Sequence, residues 1–476
     1  MISFVFLGIV AIVYIIAYFI TRFSKNAITA NSILNWIFLS ASYIFVLLID
    51  FRFLLILVGL TLSTWLFAKQ KKFYIAGIII AIATLAFFKY FNFFISSFAD
   101  IFHINTSSLN IILPIGLSFY TFSAIGYLID VHRQKIESKS LKDVALYLAF
   151  FPKLISGPLI KSASFFEQAE KPREIGCKTF LPGLQIFVFG LFKKIVLADT
   201  IGVFVNQVFG APNAFSGGTI LLAVLAYTLQ IYFDFSGYSD MAIGVAKIYG
   251  FDFPKNFNLP YLSHNVTEFW KRWHITLSEW LQEYLYIPLG GNKKGKFRTY
   301  LNLVIVMVVG GLWHGANWTF VVWGLLHGLA LVFHKLWMKA TKSNIKNHKE
   351  VFNVISILLT YLFVSFCWIF FRASSIQDAF NIILRMATFK GGINHPHLWT
   401  ILIASGFLLT IGIIVFISYK RKTFLETNKT NICRIVAKYP ILDLTKFWNL
   451  VIFFSFCAIV LCLAFTGGSP FIYGNF

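Results

Sequence analysis

From Tyr300 to Trp337 the chain is almost continuously apolar. As one helix this stretch would be roughly 55 Å long, far more than a hydrocarbon core of about 30 Å. It has to break, and "GGLWHGAN" supplies the break with Gly310, Gly311 and Gly315. Both flanks, "KKGKFR" and "KLWMKATK", are basic, which assigns both ends to the cytoplasmic face. The expectation is two helical arms that meet deep in the protein. His314 then lies near the turn, up to about 24 Å beyond Arg298 at 1.5 Å per residue.

The rest of the chain agrees with a membrane setting. Of 476 residues, 58% are hydrophobic, 18% aromatic and only 13% charged. A soluble domain needs more polar surface, so a polytopic membrane protein is expected. The net charge of +22 sits in short clusters between apolar runs, as at Lys69, Lys71 and Lys72, or Lys420, Arg421 and Lys422. That is the pattern of cytoplasmic loops, and with no phosphate loop or aromatic-basic signature beside it, no nucleic-acid partner is expected. The five cysteines form no CxxC pair and read as small buried hydrophobes. The first apolar segment lacks a basic leader and a small-residue cleavage site, so it reads as a retained helix.

Apolar segments of spanning length give a topology. Spans are expected over about residues 2–20, 33–48, 53–67, 73–94 and 111–129, then 351–371, 398–418 and 450–465. Positive-inside bias places both termini outside the cytoplasm. In the middle, "FPKLISGPLIK", "FVFGLFKKIVLAD" and "YFDFSGYSDMAIG" mix apolar residues with Pro, Gly, Lys and Asp. Such backbone survives at membrane depth only inside protein or along a cavity, so this part is expected to surround a water-accessible interior. The whole is expected to be one all-helical domain, residues 1–476, with roughly eleven to thirteen transmembrane and re-entrant helices. Its parts are peripheral helices over about 1–105, a core over about 110–340 and C-terminal helices with a tail over about 350–476.

A buried ionisable group at the depth of His314 is a functional-site candidate, and imidazole is a natural general base. Read alone, a core histidine bonded to a backbone carbonyl fits equally well. "RWHITLSEWLQEY" places Arg272, His274, Ser278, Glu279 and Glu283 among tryptophans on an amphipathic segment, suited to a headgroup boundary. There His274 reads as a site residue or, slightly better, as interfacial packing. Asp234 and Asp240 are intramembrane acids that fit site-lining or helix-anchoring roles, and His327 fits packing. His395 and His397 in "NHPH" have metal-like spacing, but nearby acidic or thiol ligands are missing, so no metal is expected.

Several blocks in order resemble one family, the membrane-bound O-acyltransferases (MBOAT), in the bacterial branch around alginate O-acetyltransferase. They are "FFKYFNFF", "LPIGLSFYTFSAIGYLIDV", "FPKLISGPLIK", "YFDFSGYSDMAIG", "NFNLPYLS", "FWKRWHITLSEWLQEYLYIPLGG" and "GGLWHGANWTFVVWGLLHG". The resemblance implies helices around a central tunnel, with His314 of "LWHG" as the catalytic histidine and His274 of "RWH" as a second essential residue. Trp313, Asn317, Arg272, Asp234 and His327 become candidates for lining that tunnel. It also implies a donor, acetyl-CoA or another cytoplasmic acyl thioester, with no permanently bound cofactor. The acceptor is an extracytoplasmic glycan, an exopolysaccharide or peptidoglycan, served by an esterase-like partner of the SGNH type in the bacterial cytoplasmic membrane. D-alanyl transfer to teichoic acid is the neighbouring enzymatic alternative, and a transporter of lipid-linked glycans is the non-enzymatic one.

The tail "GGSPFIYGNF" belongs to the resemblance, because related chains end in a similar aromatic motif. This implies that Tyr473 receives the acyl group and hands it outward. Extended chain from Thr466 reaches roughly 23 Å, enough to re-enter the interior. An aryl ester keeps acyl-transfer potential because phenolate, of pKa near 10, leaves readily. An interfacial aromatic anchor fits the same residue.

Overall fold

The structure is a computed structural model that describes residues 4–341, 350–394, 442–444 and 446–463. Among these residues eight helices are long and apolar enough to cross a membrane, and no β-strand is formed beyond an isolated bridge of Phe215 with Ile393. The expected span over 398–418, His395, His397 and the tail with Tyr473 lie outside the described residues.

Helices Phe4–Phe23, Ala27–Ile49 and Phe51–Lys69 follow the apolar runs closely. Their junctions are set by capping side chains. Asn26 accepts hydrogen bonds from the backbone N–H of Ile28 and Thr29. Asp50 ends one helix and caps the next through the Arg52 N–H at 2.8 Å. The fourth span, Tyr74 to Phe102, is interrupted by a π turn at Ala86–Tyr90.

The expected fifth span starts late. Its helix is Leu117–His132, because Pro114 and the left-handed Gly116 (φ +72°) bend the chain just before it. A Cβ on Gly116 would lie 2.2 Å from the Leu154 carbonyl oxygen. This helix is buried around nearly its whole circumference, which makes it an interior element and explains its unpatterned apolarity.

The larger departure is Gly217–Ile248, an unbroken 32-residue helix where the mixture of Gly and Asp reads as broken backbone. Its glycines are contacts, not breaks. A Cβ on Gly237 or Gly244 would meet the carbonyl oxygen of Gly190 at 2.7 Å or Gly183 at 2.6 Å, both on helix Cys177–Leu191. Two backbones therefore touch at two points seven residues apart, the small-residue packing that apolar solvent favours. Its acids are paired: Asp234 lies 2.8 Å from Lys194, which also holds Asp199 at 2.6 Å, and Asp240 pairs with Lys193. Both lysines sit in a second π turn, Phe192–Ala198.

The amphipathic "RWH" segment forms two short helices, Val266–Arg272 and Ile275–Leu281, broken at His274. One face packs into the protein, with Trp273, His274, Thr276 and Leu277 buried, leaving Glu279 and Gln282 on the exposed side. A third π turn, Gln282–Tyr286, follows. The long apolar stretch does fold as two arms, Lys296–His314 and Trp318–Ala340.

Candidate active site

His314 is the last residue of the first arm, 2% exposed. A helix end leaves carbonyls without partners, and here two side chains from the Ala86–Tyr90 turn supply them. Tyr90 donates to the Leu312 oxygen at 2.7 Å. The Lys89 ammonium donates to the Trp313 oxygen at 2.5 Å, the His314 oxygen at 3.3 Å and Ser118 Oγ at 3.2 Å. A cation at a helix C-terminus also opposes the negative end of the helix dipole. Asn317 caps the second arm by accepting from the Thr319 N–H at 2.9 Å. The arms touch along glycines: a Cβ on Gly311 would lie 2.2 Å from the Phe320 oxygen, and one on Gly324 2.3 Å from the Met307 oxygen. The His314 backbone is thereby fixed from three directions. Its ring sits among Trp313, Trp323 and Phe371, with centroids 5.0, 5.2 and 5.2 Å away.

His274 arrives by a different route. Its backbone is left-handed (φ 41°, ψ 54°), a conformation that costs a non-glycine residue roughly 1–2 kcal/mol. Asn256 offsets this from the loop after the 32-residue helix. The Asn256 backbone oxygen accepts from the Ile275 N–H at 2.9 Å, and its Oδ1 accepts from Thr276 Oγ1 at 2.6 Å. Its Nδ2 donates to Ser239 Oγ at 2.7 Å. The bent backbone turns a fully buried imidazole inward, edge-on to Phe235 at 4.7 Å. The two imidazole centroids are 6.4 Å apart, with Trp313 packed against both.

The other expected site residues separate from this pair, except Trp313. Arg272 pairs with Glu268 at 2.6 Å on a partly exposed face. Asn317 is spent as a cap and donates to the Ser374 oxygen at 2.9 Å. Asp234 points to Lys194, although its neighbour Phe235 touches His274. His327 lies one layer away, where Trp270 donates to its Nδ1 at 3.3 Å and Phe269 stacks on the ring. No cluster of three metal-ligand side chains occurs among the described residues. Sequence reasoning missed Lys89, Tyr90 and Asn256. For Lys89 the signal was available, a single charge in the middle of the apolar run "FFKYFNFF".

Two small pockets open a narrow cleft between the helix Leu117–His132 and the segment that carries His274. One pocket, large enough for about one water molecule, lies between Ser123, Tyr147, Lys161, Thr276, Trp280 and Tyr284. A second, equally small pocket shares Ser123 and Leu159 with it and adds Phe119, Tyr120 and Lys153. Phe119, which lines the second pocket, packs on Trp313 at 5.2 Å. At the rim Glu283 binds Lys135 and Lys161, the latter at 2.6 Å. Burial alone would raise the Glu283 carboxyl, but these two ammonium groups outweigh it and hold the carboxyl below its ordinary value.

Residues 111–376 match the family described as MBOAT, membrane-bound O-acyltransferase family. Over 468 residues the chain is 36% identical to the probable alginate O-acetylase AlgI of Pseudomonas putida, covering 93% of this chain and 94% of that protein. Over 351 residues it is 37% identical to the peptidoglycan O-acetyltransferase of Helicobacter pylori, covering 68% of this chain and 66% of that protein. A teichoic acid D-alanyltransferase of Streptococcus thermophilus is 31% identical over 249 residues, 50% of this chain and 60% of that one.

Proposed function

The chain belongs to the membrane-bound O-acyltransferase family, and on that premise we propose that it takes acetyl from a cytoplasmic thioester for O-acetylation of an extracytoplasmic glycan. The observation that carries this reading is the His314–His274 pair, two buried imidazoles 6.4 Å apart on independently fixed backbones. The acceptor is of the alginate or peptidoglycan type, in keeping with relatives that align over most of the chain. D-alanyl transfer is the weaker alternative, since the relative of that name aligns over half of this chain. A transporter reading falls away with membership of an acyltransferase family.

In the proposed reaction His314 takes the proton of an attacking hydroxyl. The oxygen forms a bond to the thioester carbonyl carbon, the C–S bond breaks, and the imidazolium returns the proton to the departing thiolate. His274 positions or assists beside it. Acetyl-CoA is the proposed donor: moving its phosphates through a bilayer is prohibitive, whereas a neutral acetyl group passes readily. Tyr473 is the proposed first acceptor, and an esterase-like protein of the SGNH type outside the cytoplasmic membrane is the proposed partner for the glycan step.

His314→Ala should reduce thiol release from acetyl-CoA by the purified protein by about 10²–10⁴-fold, the usual range for a general base. Release at the wild-type rate would sink the reading. Tyr473→Phe keeps the ring and removes the nucleophile. Glycan acetylation should then be lost in cells carrying normal amounts of protein, and full acetylation would reduce Tyr473 to an anchor.

A further inference from the structure

The left-handed backbone that turns the His274 imidazole inward is one that L side chains disfavour. The turn therefore has to be held. Loop 256–258 grips its backbone on both sides: the Asn258 N–H donates to the Arg272 oxygen and the Ile275 N–H to the Asn256 oxygen, each at 2.9 Å. A run of hydrogen bonds then ties that loop to the cleft. The Leu159 N–H donates to Thr276 Oγ1 at 3.0 Å, and Thr276 Oγ1 donates to Asn256 Oδ1 at 2.6 Å. Asn256 Nδ2 donates in turn to Ser239 Oγ at 2.7 Å. All four residues are buried. The direction of the run is fixed at its centre. Thr276 Oγ1 already accepts from Leu159, so its one proton goes to Asn256 Oδ1, which leaves the amide nitrogen for Ser239. Leu159 and Thr276 both line the first pocket, so the cleft wall, the loop and the turn meet at one hydroxyl.

We propose that Thr276 is a positioning residue for His274, its hydroxyl keeping the strained turn closed against the cleft wall. Without the hydroxyl the buried Leu159 N–H loses its acceptor. Asn256 Oδ1 then keeps only the longer contact from the Thr276 N–H, at 3.4 Å. The loop is free to shift, and the strain at residue 274 draws the backbone toward an ordinary conformation. An imidazole moved by about 1 Å is enough to slow a reaction by about a hundredfold. Thr276 acts through His274 and not on the acyl group. The inference rests on the assignment of His274 to the proposed reaction, and it names a residue outside the histidine pair that sets the geometry of the pair.

Thiol release from acetyl-CoA by the full-length protein in detergent or nanodiscs tests this as a double-mutant cycle. Thr276→Val keeps the shape of the side chain and removes the hydroxyl. It should lower release by about tenfold in the otherwise native protein. In the His274→Gly background, where no imidazole is left to misplace, it should cost less than about twofold. Thr276→Ser keeps the hydroxyl, and its release should stay within about threefold of the wild type. Thr276→Ala takes the place of Thr276→Val, with the same expectations, should the latter fail to elute as a monodisperse species. A threonine with a purely structural role would cost the same factor in both backgrounds. Equal losses in the two backgrounds, unchanged release in Thr276→Val, or a Thr276→Ser protein as slow as Thr276→Val each overturn the positioning role. Release at the wild-type rate from His274→Gly alone instead sinks the assignment of His274 to the reaction, whatever the Thr276 variants do.

Discussion

Two regions bury ionisable groups at membrane depth and treat them in opposite ways. Around the Gly217–Ile248 helix, Lys193 pairs with Asp240 and Lys194 with both Asp199 and Asp234, all within a few ångströms. Around the helical hairpin, His274 and His314 are walled by Trp313, Trp323, Phe235 and Phe371. Charge matched by charge holds helices together. Imidazole among aromatic rings is held in place by packing. On the proposed assignment of catalysis to the histidines, what separates the two regions is the nature of the neighbours.

Substitutions should break the two regions differently. The largest effect is expected at Lys194→Met, which strands Asp199 and Asp234 without their common cation. Breaking a buried pair costs about 3–5 kcal/mol, so the thermal midpoint and the folded yield should fall sharply. Activity per folded molecule should remain near that of the wild type. The triple variant with Asp199→Asn and Asp234→Asn should recover much of the midpoint, and a loss of activity per folded molecule in either variant would place Lys194 in the chemistry. Next comes His274→Gly. Glycine relieves the left-handed strain of roughly 1–2 kcal/mol, so stability should stay near that of the wild type while thiol release falls at least about tenfold. Unchanged release would place His274 outside the chemistry. The smallest effect is expected at the cleft rim. The Glu283 carboxyl titrates below its ordinary value of 4.5, so its ion pairs contribute fully above that pH and are lost as pH falls through the lowered value. Water screens the rim, and Glu283→Gln should shift the midpoint by less than about 1 kcal/mol at pH 7 and by nothing in acid.

The early spans were legible because each is a simple apolar run between polar residues, and hydropathy reads that directly. The depth of His314 was legible for a related reason: a stretch too long for one crossing must fold back, and its glycines say where. The Gly217–Ile248 helix was not legible. Gly237, Gly244, Asp234 and Asp240 are breakers until their partners on another helix are known. Asn256 was hidden for the same reason, since its whole effect is exerted on His274, eighteen residues later and across a loop. Local signals report what a residue prefers by itself. Groups whose role is to satisfy another segment carry almost no local mark.

The three π turns, at Ala86–Tyr90, Phe192–Ala198 and Gln282–Tyr286, hold Lys89 with Tyr90, Lys193 with Lys194, and Glu283 with Tyr284. Each turn accommodates one residue more than an α-helical turn would, and one residue corresponds to about 100° of rotation. Removing a single residue from any of them would regularise the helix and swing everything beyond it onto another face. At Ala86–Tyr90 that swing would carry off the groups that clamp the end of the His314 helix. These helices are thus phase-shifted at the positions where a neighbour needs an inward polar group, and an otherwise smooth apolar rod is indexed to its partners by a one-residue offset.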